Sequence, residues 1–316
     1  MDFRPFYFSL SRAGETKRDV AAHIALLCVQ FFFGTSTVLG KNALAVFHPF
    51  SIVAFRIGIA AVVFATLQRM RGTLALSDKK DYLRFALFSI FGISVNQLLF
   101  FAGLHRTTAV NTSLIAVTIP IFAFIVSIAV GNDRSDLLKW SGVASAALGV
   151  LYLIGPWRQD LTLNAGDFLI LLNSFSYAIY VGFSKKLIAR NGALKSITWL
   201  FIFGSIIAVP LGGWELSKQD LSTVSYASWG FVAGLVLFPT ILAYYWNAWA
   251  LARVQPSMVA VYVYLQPIIG FLSAVIFLKE EFTARVLISA ALVFLGVFLV
   301  TTNRSTRDFD TDLPAN

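Results

Sequence analysis

Ten long apolar runs, separated by short polar connectors, account for most of the 316 residues. They occupy residues 20–40, 50–68, 83–103, 108–130, 137–155, 166–184, 196–214, 228–250, 256–278 and 284–302. Each run approaches the roughly 20 residues that a helix needs to cross a bilayer. Apolar residues are continuous within each run, whereas barrel strands would alternate. The pattern therefore predicts an all-α membrane protein with ten transmembrane helices and no soluble domain.

Composition and charge agree with a lipid environment. The chain is 58% hydrophobic and 13% charged, whereas a soluble domain has about 25% charged residues. Its net charge of +9 would suggest nucleic acid in a soluble protein. Here 18 of the 25 Lys and Arg residues lie in the tails or follow even-numbered runs, and six lie on the opposite side. Because cationic loops stay in the cytoplasm, both termini are expected there, in a bacterial-type inner membrane without a nucleic-acid partner.

One sequence pattern occurs twice along the chain. LHRTTAVNTSLIAVTIP at 104–120 and LARVQPSMVAVYVYLQP at 251–267 share Leu, Arg and Pro at the same places, 147 residues apart. An acidic connector and a late glycine continue the match in both copies. The third to fifth runs therefore correspond to the eighth to tenth.

The repeat predicts four units along the chain. They are a cytoplasmic tail at 1–19, a five-helix repeat at 20–155, a second at 164–302, and a cytoplasmic tail at 303–316. Because five is odd, the second repeat begins on the opposite side of the membrane and has inverted topology. Many secondary transporters have such repeats and bind substrate near the membrane midplane between them. Duplication that serves stability alone is the alternative.

Three segments resemble a known family. FFFGTSTVLGKNAL at 31–44, PFSIVAFRIGIAAVVF at 49–64 and FLKEEFT at 277–283 are similar to patterns of the ten-helix EamA-domain permeases in the drug/metabolite transporter superfamily. The resemblance extends over about residues 22–302, with Phe33 where the family usually has Trp and Arg56 at its arginine position. It implies export or uptake of small metabolites, often amino acids, without a cofactor.

Polar side chains within the runs suggest a substrate cavity, because such groups face the bundle interior by default. Gln30, Gly34, Thr37 and Lys41 share one helix face, and Asn173, Tyr177, Tyr180 and Ser184 repeat the same spacing. The candidate cavity residues are Gln30, Phe33, Thr37, Asn96, Phe100, Asn111, Thr118, Asn173, Tyr177, Tyr180, Tyr244, Asn247, Tyr262 and Gln266. Helix–helix hydrogen bonding is the alternative for the amides and hydroxyls. An interfacial aromatic belt is the alternative for residues 244–246.

Two prolines and two cations complete the candidate set. Pro120 and Pro267 lie within equivalent helices, where each is expected to break the backbone hydrogen bonding and permit gating. A fixed packing kink is the alternative. Lys41 is expected to extend toward the membrane surface. Arg56 lies about 10 Å inside its helix, where it would bind carbonyl groups or a carboxylate.

Residue types that are absent from the apolar runs exclude several classes of function. None of the 16 acidic residues lies deep in a run, Cys28 is the single cysteine, and no metal-binding or hydrolase motif is present. We therefore expect no metal, no cofactor and no enzyme activity. The predicted function is export of a small polar or zwitterionic metabolite, such as an amino acid with an apolar or aromatic side chain, by a monomer or homodimer. The alternatives are an organic-cation or drug exporter, an organophosphate or nucleotide-sugar exchanger, and a non-transporting scaffold or membrane enzyme.

Overall fold

The computed structural model describes residues 7–129, 137–154, 164–251, 253, 262–263, 265–281 and 283–302. Every regular element in these ranges is helical. The main helices are α1 (Tyr7–Leu44), α2 (Pro49–Met70), α3 (Lys79–Arg106), α4 (Ala109–Ala129), α5 (Leu137–Ile154), α6 (Ala165–Asn191), α7 (Ala193–Leu216), α8 (Tyr226–Ala250), α9 (Leu265–Leu278) and α10 (Ala284–Thr302). The region predicted as a tail at 1–19 is helical from Tyr7, since no proline follows Pro5 before α2.

Seven of these helices are long and apolar enough to cross a membrane. They are α1 from Val20 onward, α2, α3, α4, α6, α7 and α8, whereas α5, α9 and α10 are shorter apolar helices. Large apolar side chains such as Val62, Ile206 and Phe298 are more than 60% exposed, as expected for surfaces that contact lipid. The protein is therefore a multi-pass membrane protein, and the predicted all-helical class is confirmed. The predicted count of ten spans stays a prediction, and part of the ninth lies outside the described residues.

Local sequence explains where several helices begin. The side chains of His48, Asp78 and Asn164 each accept a hydrogen bond from the backbone N–H two residues later, so they cap α2, α3 and α6. Helices α6 and α7 are joined by Gly192 alone. Its φ of 80° is accessible to glycine without the strain that a β-carbon would cause.

Two helices are interrupted by π-helical turns. Residues Ile90–Ser94 form such a turn within α3, and Leu237–Leu242 form one within α8. The two turns begin 147 residues apart, which is the offset of the sequence repeat. A π turn inserts one residue into the helix and often marks a functional site.

The helix packing follows a reciprocal pattern. Helix α1 packs against α8 and α9, and α6 packs against α3 and α4. Extensive contacts also join α2 to α7 and α5 to α10. If helices five places apart are treated as equivalent, the contacts of α1 with α8 and α9 correspond to those of α6 with α3 and α4. The α2–α7 and α5–α10 contacts each join two equivalent helices.

Both of the self-paired contacts are antiparallel. Ser51 of α2 donates a hydrogen bond to the carbonyl of Gly212 on α7, while Phe64 contacts Phe201. Along this interface, the residue number rises on α2 as it falls on α7. The main buried cluster of apolar side chains includes residues of α2, α3 and α7.

Candidate functional site

Arg56 is the centre of a buried polar cluster where α2, α3 and α8 meet. The residue is only 5% exposed. Its Nε donates to Oγ1 of Thr240 at 2.9 Å, and its Nη1 donates to Oε1 of Gln97 at 2.9 Å. The guanidinium carbon lies 5.0 Å from the centre of the Phe101 ring. Neutral groups on two other helices therefore hold this cation in place.

The ion pairs within the described residues do not include Arg56. They join Asp78 and Asp81 to Arg84 and Arg190, and Glu215 to Lys218. A guanidinium has five N–H donors, and the two hydrogen bonds to Thr240 and Gln97 use two of them. A buried charge without a counter-ion is costly. The cluster is therefore suited to receive an anionic group.

A small cavity lies among α3, α6, α7 and α8. Its lining comprises Gly92, Ile93, Tyr177, Tyr180, Ile197, Leu200, Phe201 and Tyr244. The volume is about 30 Å³, which is room for about two water molecules. The ring centres of Tyr177 and Tyr180 are 5.6 Å apart, and Tyr244 packs edge-on against Phe33 at 5.6 Å. We call this space the tyrosine cavity. Tyr244 follows Thr240, a partner of Arg56, by four residues on α8, so this helix supplies residues to both the cavity and the arginine cluster.

The two π turns position this site. In α3, the ring of Tyr180 lies directly over Gly92, where an added β-carbon would come within 2.6 Å of the ring. In α8, the Thr240 hydroxyl donates to the carbonyl of Leu235 at 2.7 Å while it accepts from Arg56. The repeat-equivalent turns thus supply one wall of the cavity and one partner of the arginine.

The two sets of polar residues with the same spacing, on α1 (Gln30, Gly34, Thr37, Lys41) and on α6 (Asn173, Tyr177, Tyr180, Ser184), have different surroundings. Asn96 Nδ2 donates to the carbonyl of Asn173 at 3.1 Å, and Asn173 Nδ2 donates to the carbonyl of Asn96 at 2.8 Å. These reciprocal bonds join α3 to α6. Gln30, the counterpart of Asn173 on α1, is 1% exposed, and its Oε1 has no hydrogen-bond partner in the described part of the chain. Gln30 therefore keeps a buried acceptor without a partner, and in the α6 set the hydroxyl of Ser184 also has none within the described residues.

Several predicted cavity residues do not line the tyrosine cavity. Thr37 and Thr118 donate to carbonyls in their own helices, those of Gly34 and Ile115. Tyr262 is hydrogen-bonded to His23 at 2.9 Å. The remaining candidates are partly buried: Phe100 packs on Phe101, Asn111 lies at the start of α4, Asn247 is on α8, and Gln266 is at the start of α9.

The predicted helix breaks have different surroundings in the structure. Helix α4 consists of Ala109–Ala116 and Ile119–Ala129, with an interruption at 117–118. Pro120 is the second residue of the later segment, where no helical partner for its nitrogen is required. Pro267 is the third residue of α9 as described, and residues 254–261, which precede it, lie outside the described ranges.

Carboxylates join helices at both ends of the bundle. At the end where α4 and α6 begin, which we call the Glu280 face, both carboxylate oxygens of Glu280 accept from the N–H groups of Ala109 and Val110 at 2.8 Å. Asp167 accepts from Thr107 and Asn111 there. Lys41, near the end of α1, is partly buried.

At the opposite end, which we call the Asp81 face, the fully buried Asp81 of α3 accepts from Arg84, Arg190 and Asn191. Arg190 and Asn191 lie at the end of α6. Hydrogen bonds between helices are therefore present at both faces. Within the described ranges, no group of three or more His, Cys, Asp or Glu side chains could hold a metal ion.

Sequence reasoning missed three parts of this site. Gly92, Phe101 and Thr240 are not remarkable residue types for a membrane helix, and their importance depends on the π turns and on the position of Arg56. The signal available in the sequence was the correspondence of Gly92 with Pro239 at the repeat offset, since both residue types disturb a helix.

A model of the EamA-like transporter family matches residues 20–155 and 164–302. The chain belongs to the EamA-like transporter family. The two matched segments include both π turns, Arg56 and the residues that line the tyrosine cavity.

Similar proteins occur in distant organisms. The uncharacterized transporter YetK of Bacillus subtilis is 26% identical, and the match covers 96% of this chain and 94% of YetK. The uncharacterized transporter YyaM of the same bacterium is 24% identical over 87% of this chain and 92% of its own. A WAT1-related protein of Arabidopsis thaliana is 24% identical over 89% of this chain and 84% of its own. These EamA-family relatives support a membrane transporter.

A solved structure has a similar fold. One crystal structure superposes with a TM-score of 0.62, covers 90% of this chain and 97% of its own, and is 16% identical in sequence. At this level of identity the likeness concerns the fold alone.

Proposed function

We propose that this EamA-family protein is a secondary transporter that moves a small zwitterionic metabolite across the membrane by alternating access. The observation that carries the proposal is Arg56, a buried cation held by Thr240 and Gln97 without a carboxylate partner among the described residues. In this proposal, the carboxylate of the substrate completes the coordination of Arg56. Amino acids with apolar or aromatic side chains fit best, because aromatic rings lie nearby.

The surroundings of Arg56 favour this substrate class. Tyr177, Tyr180 and Tyr244 supply aromatic surface together with hydroxyl groups, which suits the apolar and polar parts of an amino acid. The unpartnered Oε1 of Gln30 is an acceptor suited to an ammonium group, as a second element of the proposal. A cationic drug would meet Arg56 as a like charge. An organophosphate carries more negative charge than this one arginine would balance.

Transport requires a conformational change from the described state. Ligand sites usually have volumes of about 300–1,000 Å³, whereas the tyrosine cavity has about 30 Å³. We propose that the Glu280 face and the Asp81 face open in turn to enlarge this space. The reciprocal packing of α1 and α6, and the antiparallel contact of α2 with α7, support an exchange between two inverted halves.

Orientation and direction are part of the proposal. The distribution of Lys and Arg supports cytoplasmic termini in a bacterial-type inner membrane, and export is the expected direction. Cysteines replacing Arg106 and Arg253 singly, in a Cys28→Ser background, should react from opposite sides with a reagent that does not cross the membrane. Labelling of both from the same side would contradict the inverted arrangement.

The substrate class can be tested on the unaltered protein in proteoliposomes. Phenylalanine, leucine and other zwitterions would compete for counterflow, while phenylalaninamide, which lacks the carboxylate, would serve as the matched analogue. Hydrogen bonds to charged groups are worth about 1.5–3 kcal/mol, so the amide should compete about 10- to 100-fold less well. Equal competition by the amide would overturn the role of Arg56.

A variant separates recognition from folding. Arg56→Lys keeps the charge but loses the planar, multiple-donor geometry, so it should weaken competition by zwitterions and leave the thermal unfolding midpoint near that of the unaltered protein. A fall in the midpoint with unchanged competition would instead identify Arg56 as a structural residue. Absence of flux for every metabolite, from protein with an unchanged midpoint, would contradict transport itself.

A further inference from the structure

An apolar groove opens on the outer surface between α1 and α8, and its lining shares no residue with the tyrosine cavity. It has a volume of about 300 Å³ and is lined by Ala21, Ile24, Ala25, Cys28, Tyr245, Trp246 and Trp249. Small residues at 21, 25 and 28 lie on one face of α1, opposite large aromatic side chains on α8. The groove exists because three of the four α1 residues on this face, all except Ile24, have small side chains.

The groove runs from a helix end into the apolar layer. Trp249 is near the end of α8, and Cys28 is eight residues inside the span that begins at Val20. From Ala21 to Cys28 the distance along α1 is about 10 Å. A ligand in the groove would therefore have one end at the membrane surface and the other within the hydrocarbon layer.

Two arginines stand at the surface end of the groove. Arg71 lies over the Tyr245 ring at 5.9 Å and donates to its hydroxyl at 3.2 Å. Arg253 lies over the Trp249 ring at 4.0 Å and donates to the Trp249 carbonyl at 2.8 Å. Both arginines are exposed. Each is thus fixed against an aromatic side chain that also lines the groove.

The free donors of these arginines define the ligand's charge. A guanidinium has five N–H donors, and within the described residues each of these two guanidinium groups donates one hydrogen bond. Neither lies within 4 Å of a described carboxylate. Arginine binds phosphate oxygens in bidentate fashion, and basic pockets beside membrane helices bind anionic lipid head groups.

We propose that this groove is a binding site for an anionic phospholipid of the surrounding membrane. The phosphate of the head group would bind Arg71 and Arg253, and one acyl chain would lie along α1 over Ala21 and Cys28. This site is separate from the proposed substrate site, and it requires no assumption about what the protein transports.

The test is native mass spectrometry of the purified full-length protein in mild detergent, with phosphatidylglycerol and phosphatidylethanolamine of identical acyl chains as probes. The unaltered protein should bind phosphatidylglycerol more tightly. Near a membrane surface each arginine contributes about 1 kcal/mol, or about five-fold. Arg71→Gln/Arg253→Gln should therefore reduce phosphatidylglycerol affinity by about 25-fold and phosphatidylethanolamine affinity by less, because the ammonium group of that lipid already balances its phosphate.

Two further variants make the result specific. Lys79→Gln/Lys80→Gln removes two exposed cations from the same end of the bundle, outside the groove, and should leave binding unchanged. Ala21→Phe fills the groove and should weaken both lipids. Equal binding of both lipids by the unaltered protein would overturn the proposal, as would an equal loss in the lysine variant.

Discussion

Helices α5 and α10 cross with their backbones in close contact at Gly142 and Gly296. A β-carbon on Gly142 would lie 2.7 Å from the carbonyl oxygen of Gly296, and one on Gly296 would lie 2.5 Å from that of Gly142. Ser145 donates to the carbonyl of Leu292 at 2.9 Å, and these two residues are 147 positions apart, the offset of the sequence repeat. Ser145 and Leu292, which are equivalent at the repeat offset, thus meet where α5 crosses α10, as expected if the proposed inverted halves are related by a two-fold axis there.

The first prediction concerns this crossing. Gly142→Ala should destabilise the protein by about 1–3 kcal/mol, because the added methyl meets backbone that cannot move aside. Gly230→Ala is the matched control, since a β-carbon there meets nothing within 4 Å, and replacing a helical glycine by alanine is favourable by up to about 1 kcal/mol. Thermal unfolding in detergent provides the measurement. Equal midpoints for the two variants would show that α5 and α10 do not cross as described.

The sequence predicted the helical class and much of the helix layout, because apolar runs of spanning length have few other structures in lipid. The charge pattern predicted cytoplasmic termini, and the repeated Leu, Arg and Pro residues predicted an inverted repeat; both stay predictions. The start of α1 at Tyr7 was missed, because a polar segment before an apolar run looks the same whether or not it continues the helix.

The site was less accessible to sequence reasoning. Tyr177, Tyr180 and Tyr244 were predicted and share one cavity, since polar spacing reveals which helix face is shared. Thr240 was missed because its contact with Arg56 depends on a π turn. The one-residue insertion that makes a π turn has no recognisable amino-acid composition. Asn111 was predicted on the basis of its helix face, but it instead binds Asp167 at a helix end.

The second prediction concerns the π turn in α3. Gly92→Ala should displace the Tyr180 ring, whose Cγ would lie 2.6 Å from the new methyl, and should reduce transport by filling the tyrosine cavity. Replacing Tyr180 with Ala in the same chain removes the clash, so the destabilisation caused by Gly92→Ala should become smaller in that background. Unfolding midpoints of the single and double variants test this. If the destabilisation in the double variant equals the sum of the two single effects, Gly92 and Tyr180 are not in contact.

The third prediction concerns the bonds between α3 and α6. Asn96→Ala and Asn173→Ala should each destabilise by about 0.6 kcal/mol, a typical value for hydrogen bonds between membrane helices. Because each side chain donates to a backbone carbonyl, each bond survives when the other is removed. The double variant should therefore show the sum of the two effects. A coupling energy above about 1 kcal/mol would indicate that the two amide side chains bind each other instead.

The last prediction concerns the Glu280 face. Glu280 joins the end of α9 to the start of α4 by accepting from two N–H groups that lack helical partners. Its negative charge also lies at the positive end of the α4 dipole. Glu280→Gln keeps the shape but leaves a single neutral acceptor and two amide hydrogens in place of the second. We expect a loss of about 1–3 kcal/mol, the cost of leaving a buried donor unpaired.

Hydrogen exchange should locate this loss. The amides of Ala109 and Val110 should exchange faster in Glu280→Gln, while those in the middle of α2 should not change. Glu281→Gln is the control, because Glu281 is adjacent and exposed, so it should leave both regions unaltered. If the face must open during transport, Glu280→Gln should also alter the rate of counterflow more than substrate affinity. Unchanged exchange at residues 109 and 110 would show that Glu280 does not hold α4.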